Sequence, residues 1–148
     1  NPTPNCYHRL KPHTFAPSNI SWGIEDRTAM VRIKDAGAEN CHIEMRAASG
    51  LSNPYLSVAA VVAAGLLGIQ EKGELPTPSE GPSEEDPKHK KLAGSLEESL
   101  AALKKDKAMQ EILGDDFMKL FTTVKQAELD RFRSHVTDWE RDEYLELY

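Results

Sequence analysis

The run His42-Ile43-Glu44-Met45-Arg46 alternates polar and apolar side chains. In an extended strand this sends Ile43 and Met45 to one face and His42, Glu44 and Arg46 to the other. A carboxylate and a guanidinium sharing an exposed face most often form a surface ion pair. They can also do chemistry. The carboxylate is a hard ligand for a divalent cation, and a guanidinium grips phosphate or carboxylate through paired hydrogen bonds. Three more arginines, Arg9, Arg27 and Arg32, lie upstream, and none follows Arg46 until Arg131. Residues 1–46 carry six Lys+Arg against five Asp+Glu, whereas residues 47–148 carry twelve against nineteen. Arginine is therefore concentrated in one segment, as a site for small anions requires. Scattered surface charge is the plainer account of the same composition.

The elements that must hold these residues follow from local pattern. Residues 1–46 read as loops and short strands at Asn19–Trp22, Met30–Ile33 and His42–Arg46, separated by Pro and Gly. Asn53-Pro54 is a helix start, with Asn as cap and Pro in the first turn. The helix runs from Tyr55 to about Gln70 and carries no charge between Leu56 and Ile69. An element apolar all round is predicted to lie inside a larger body, so residues 53–72 are expected to form a buried helix backing the sheet. Residues 73–94 are rich in Pro, Gly, Ser and Glu and are expected to form a flexible loop. Residues 95–148 form a helical tail. Ser95 with Glu98 and Thr137 with Glu140 match the capping-box spacing. Leu96, Leu100 and Leu103 form one apolar stripe, and Phe117, Leu120, Phe121, Val124 and Phe132 another. Trp139 and Tyr144 are expected to be packing residues.

At 148 residues, 39% hydrophobic and 28% charged, the composition is that of one globular domain or a large piece of one. A net charge of −6 and the lack of a basic stripe exclude a nucleic-acid binder. No apolar run is long enough for a membrane span. Cys6 and Cys41 are too few for a disulfide framework and match no zinc spacing, so a cytoplasmic setting is expected. The chain opens on Asn1, as expected of a stretch cut from a longer protein.

Four stretches, YHRLKPHTFAPSNISW, EDRTAMVRI, HIEMR and SNPYLSVAAVVAAGLLGI, followed by LAGSLEESLAAL, VKQAE and VTDWERDEY, occur in an order that resembles the C-terminal part of the glutamine synthetase catalytic domain. The resemblance covers essentially the whole chain. It implies an α+β fold in which a few antiparallel strands precede a helical tail. It also implies part of an ATP-dependent ligase that joins the γ-carboxylate of glutamate to an amine through γ-glutamyl phosphate. Carried over by that resemblance, Arg9 and Arg27 are catalytic and Arg9 and Arg46 bind the substrate. Arg27, Arg32 and His42 face ATP, and Glu44 ligates Mg²⁺ or Mn²⁺. A homo-oligomeric ring is implied for the complete protein, and the stretch alone is expected to be inactive.

Two positions depart from the family pattern. Where the flap loop of the family carries a glutamate that takes a proton from ammonium, this chain has Phe15, which accepts no proton. Where the family has an arginine near ATP, it has His42. Three readings follow: a ligase for an amine other than ammonia, a lengsin-like non-catalytic assembly protein, and ordinary glutamine synthesis, which Phe15 disfavours most. From outside the family, a helical protein-interaction module built on residues 95–147 is the rival.

Overall fold

The computed structural model describes residues 1–147, with Glu85 described by its backbone alone. The fold is α+β, in two compact units. Asn1–Leu113 contains the strands β1 (Trp22–Ile24), β2 (Val31–Lys34) and β3 (His42–Met45) and the helices α1 (Pro54–Gln70), α2 (Leu96–Lys105) and α3 (Lys107–Leu113). The unit that begins at Gly114 is helical, with α4 (Asp115–Arg133) and α5 (Asp138–Tyr144).

The strands form one sheet in the order β1-β2-β3. β2 and β3 are antiparallel, with Arg32 opposite Glu44 and Lys34 opposite His42. β1, however, runs parallel to β2, so the sheet is mixed rather than purely antiparallel. Parallel neighbours normally need a long crossover. Here the reversal is compressed into residues 25–30. Glu25 adopts a left-handed φ of 55° directly after β1. Asp26 then folds the chain back by accepting from the backbone N–H of Thr28 at 2.7 Å and from its hydroxyl at 2.6 Å. The first strand is also displaced from its expected position. Asn19 contributes only an isolated bridge to Lys91, and regular pairing begins at Trp22.

α1 starts where the caps predict. The Asn53 side chain accepts from the N–H groups of Tyr55 (2.9 Å) and Leu56 (3.4 Å). Its principal neighbour is α3, not the sheet. The apolar sheet face is lined instead by Leu75 and Pro76 of the next loop. Within this chain only Ala63 of α1 is buried, while Tyr55, Val58, Val62 and Ile69 are exposed.

Residues 73–94 run along the β1 edge and are tied to it. The Ser79 N–H donates to Trp22 O (2.8 Å), the Trp22 indole to Pro76 O (2.7 Å), and the Ile20 N–H to Lys90 O (2.7 Å). In α2, Leu96 and Leu100 are buried. Ser95 caps Glu98 N at 3.1 Å, but Glu98 reciprocates to Gly94 N rather than to Ser95. The Thr137–Glu140 box is complete.

In α4 the buried residues are Met118 and Leu129, with Thr122 and Lys125 partly covered between them. Leu120, Val124 and Phe132 of the predicted stripe are exposed instead, and Phe117 and Phe121 stack on each other at 5.6 Å. The shielded line is offset because its members include Thr and Lys, whose aliphatic parts can be covered although a hydropathy pattern counts them as polar. Trp139 and Tyr144 meet edge-on at 5.8 Å but stay exposed, so they pack on each other rather than into a core.

Candidate active site

The register of β2 on β3 builds the site. Val31-Arg32-Ile33-Lys34 alternates as β3 does, so the antiparallel pairing puts Arg32, Lys34, His42 and Glu44 on one face. Arg32 is 9% exposed, and its guanidinium clamps two carboxylates. NH1 donates to Glu44 Oε2 at 3.2 Å, and NH2 donates to Glu25 Oε2. Lys34 Nζ adds a second cation 3.4 Å from Glu25. The hydrogen bond from Arg32, reinforced by the charges of Arg32 and Lys34, holds the Glu25 carboxyl below the usual range against the opposing effect of desolvation. On the other side of Glu44, Arg46 Nε lies 3.9 Å from Oε1, an ion pair beyond hydrogen-bond distance.

Arg46 also reaches the flap, since its NH2 donates to the carbonyl of Phe15 at 2.9 Å. Phe15 itself has a φ of 58°, and its ring is exposed. Arg9 joins the cluster through the backbone that follows β3. Its NH2 donates to Ala47 O (2.5 Å), Ala48 O (2.8 Å) and Asn1 Oδ1 (3.4 Å). Arg9 Nε, Arg32 Nε and Arg46 NH1 are buried and have no hydrogen-bond partner. Guanidinium N–H groups removed from water without acceptors are costly. An acceptor that reached any of them would offset that cost.

The structure thus joins Arg32, Glu44 and Arg46 in one row and ties Arg9 to the backbone just after Arg46. His42 stands two residues along the same face, exposed, with Nδ1 3.0 Å from Asn40 O. Arg27 is not drawn in. It projects exposed from the turn after β1, and among the described residues no hydrogen bond or ion pair to its side chain is found. Two participants escaped the sequence reading. Lys34 could have been found from the alternation of β2. Glu25 could not, because it reaches Arg32 only through the left-handed turn.

Metal binding is met in part. Glu44 is a half-exposed carboxylate with lone pairs left over from its two guanidinium contacts, so it can supply one hard oxygen ligand. Among the described residues no group of three or more His, Cys, Asp or Glu side chains could hold a metal ion. Among the described residues, Glu44 thus offers one ligand rather than a complete divalent site. No described helix is long and apolar enough to cross a membrane.

The family model for the glutamine synthetase catalytic domain fits residues 1–144, and the chain belongs to the glutamine synthetase family. It is 40% identical to the glutamine synthetase of Methanocaldococcus jannaschii over 98% of its own length and 34% of that protein. It is 39% identical to the Thermus thermophilus glutamine synthetase over 100% of its length and 35% of that protein. A solved structure described as a GmaS/ADP complex superposes with a TM-score of 0.84 at 34% identity, covering 99% of this chain and 35% of that one. The chain therefore spans about a third of the length of the relatives it matches.

Proposed function

We propose that this chain supplies the C-terminal wall of the active site of an ATP-dependent ligase, which joins the γ-carboxylate of glutamate to an amine through γ-glutamyl phosphate. The observation that carries this reading is the row in which Arg32 and Arg46 both contact Glu44 while Arg46 also holds the Phe15 carbonyl of the flap. In the first step a glutamate carboxylate oxygen attacks the terminal phosphorus of ATP and ADP leaves. In the second the amine nitrogen attacks the acyl carbon, phosphate departs with the acyl oxygen, and the nitrogen loses a proton. Both steps concentrate negative charge, which prearranged cations stabilise. Arg9 and Arg46 hold the glutamate or its acyl phosphate. Arg32 and His42 line the nucleotide side, and the description of the structural relative as an ADP complex supports nucleotide binding by the complete protein. Arg27, exposed and uncommitted, is free to swing onto the transferring phosphate. Bound Mg²⁺ or Mn²⁺ would neutralise phosphate charge, with Glu44 as this chain's one ligand.

Under this reading, residues 1–46 carry the strands and active-site loops of a single catalytic domain. Residues 53–72 become a helix buried by the rest of the protein, 73–94 a long loop held to β1 at Pro76–Ser79 and to the Asp26–Thr28 turn at Ser83, and 95–148 a helical tail. The complete protein is a homo-oligomeric ring in the cytoplasm. Phe15 favours an amine with a carbon substituent over ammonia, because a phenyl ring offers contact area and no charge. A lengsin-like, non-catalytic role is the second reading, favoured by the same Phe15 and by His42.

The test is ADP release by a longer protein containing this chain, supplied with glutamate, ATP, Mg²⁺ and either ammonia or primary alkylamines of increasing length. Faster turnover with an alkylamine than with ammonia supports the proposal. An intact assembly that neither binds nucleotide nor releases ADP overturns it in favour of the structural role.

A further inference from the structure

The flap that presents Phe15 is held at both ends. Toward the arginines, Arg46 donates to the Phe15 carbonyl. In the middle, the Thr14 hydroxyl lies 2.5 Å from Arg9 O and 2.6 Å from Lys11 O. At the far side, Glu84 takes hold of His13 twice. Oε2 accepts from the His13 backbone N–H at 3.0 Å, and Oε1 lies 3.4 Å from its Nδ1. The Glu84 side chain is only 9% exposed although its partner imidazole is 75% exposed.

Glu84 is a firm support because its neighbour is fixed. Ser83 is 1% exposed. Its N–H donates to Thr28 Oγ1 at 2.7 Å, its hydroxyl lies 3.0 Å from the same oxygen, and its carbonyl accepts from the side chain of the buried Asn19 at 2.7 Å. Thr28 in turn bonds Asp26, so the turn carrying Arg27 shares this anchor. The Ser83-Glu84 dipeptide therefore touches two loops that are remote in sequence and that both lead to the candidate site.

We infer that Glu84 is a positioning residue. Its carboxylate, seated on the buried Ser83 turn, sets the place of flap 11–15 against Arg46 and couples it to the Asp26–Thr28 turn. The inference rests on the ligase reading for its catalytic meaning, but the mechanical part stands by itself. Two loops sharing a support reach their working positions together, which is what alignment of an amine with an acyl phosphate demands.

Amide hydrogen exchange on the 148-residue chain tests the mechanical part. Glu84→Ala should speed exchange of His13 and its flap neighbours about tenfold or more, because a charge-assisted hydrogen bond is lost. Exchange in α2, which belongs to the same unit as the flap, should stay unchanged and so report that the fold of that unit is intact. Glu84→Gln should restore most of the protection, since the amide oxygen can still accept from His13 N–H. His13→Asn, which tolerates the left-handed φ of 63° and keeps the N–H, should lose less than Glu84→Ala. Thr28→Val should loosen both 26–29 and the flap. Unaltered flap exchange in Glu84→Ala overturns the inference, and a Thr28→Val effect confined to 26–29 overturns the coupling. In the longer protein, Glu84→Ala should raise KM for the amine severalfold more than it lowers kcat, with rescue by Gln. Equal loss in both without rescue overturns the positioning role. If that protein shows no ligase activity, the ligase reading fails and the exchange comparison still decides for Glu84.

Discussion

Arg32 and Glu44 stand directly opposite each other across the β2–β3 ladder and are joined at 3.2 Å, while the second nitrogen of the same guanidinium holds Glu25. One buried arginine thereby fixes the strand pair, the turn after β1 and the carboxylate assigned to the metal.

The acid limb of stability should depend on this clamp. The Glu25 carboxyl is held low by Arg32 in the folded chain, so its stabilisation is complete above the ordinary glutamate pKa. It is lost as pH falls through the lowered folded value. A carbon-detected titration of Glu25 should show the depressed value in the native chain. Arg32→Met should return it toward normal and remove that part of the acid sensitivity. An unchanged Glu25 titration in the variant would contradict the assignment.

Sulfate or phosphate should bind the arginine cluster of the isolated chain. Expected signs are shifts of the Arg9, Arg32 and Arg46 side-chain resonances and a raised Tm. At ten times the dissociation constant the gain is about 1.4 kcal/mol. Arg46→Ala should abolish most of it. A response equal to that of chloride at matched ionic strength would reduce the effect to general screening.

The 148-residue chain alone should form no γ-glutamyl hydroxamate from glutamate, ATP and hydroxylamine, because Glu44 is a single metal ligand without a described three-ligand set. Product above a no-protein control would show that the site is more nearly complete than its residues indicate.

Gly23→Ala should be costly for a geometric reason. A Cβ there would lie 2.4 Å from Ser79 Oγ and 2.9 Å from Asp26 Cβ. The hydroxyl could rotate away, but Asp26 is fixed by its bonds to Thr28 and Ser79. Urea unfolding should show a loss of about 1–3 kcal/mol, with faster amide exchange near Ser79. A wild-type midpoint would mean that the β1 turn is softer than its bonding implies.

Asn53→Ala should destabilise by about 1 kcal/mol through loss of the α1 cap. The readout is the thermal midpoint, and Asn53→Ser should recover most of the loss.

Much of this architecture was legible because it is local. The caps at Asn53, Ser95 and Thr137 need only neighbouring residues, and the faces of β2 and β3 follow from alternation. What stayed hidden depends on partners far along the chain. β1 begins at Trp22 because the loop at Pro76–Ser79 and the strand at Val31–Ile33 select that register. Glu25 reads as an ordinary loop acid until its positive φ turns it onto Arg32. Glu84 sits in a low-complexity stretch whose composition gives no reason to fix any residue in place. The sequence singles out Arg9, Arg27, Arg32, His42, Glu44 and Arg46 as a set, yet Arg27 is not drawn in, and the spacing of Arg32 and Glu44 depends on a ladder register that pattern alone does not fix.

The uncharged flank of α1 matters during synthesis. α1 turns Tyr55, Val58, Val62 and Ile69 to water, and α3, the helix it packs against, is made only after it. Even after α3 arrives, those four side chains stay exposed within this chain. Nascent polypeptides in this condition adhere to one another on crowded polysomes and are natural clients for holdase chaperones. The yield of native protein in a cell would then be governed less by its final thermodynamic stability than by how soon that oily flank is masked.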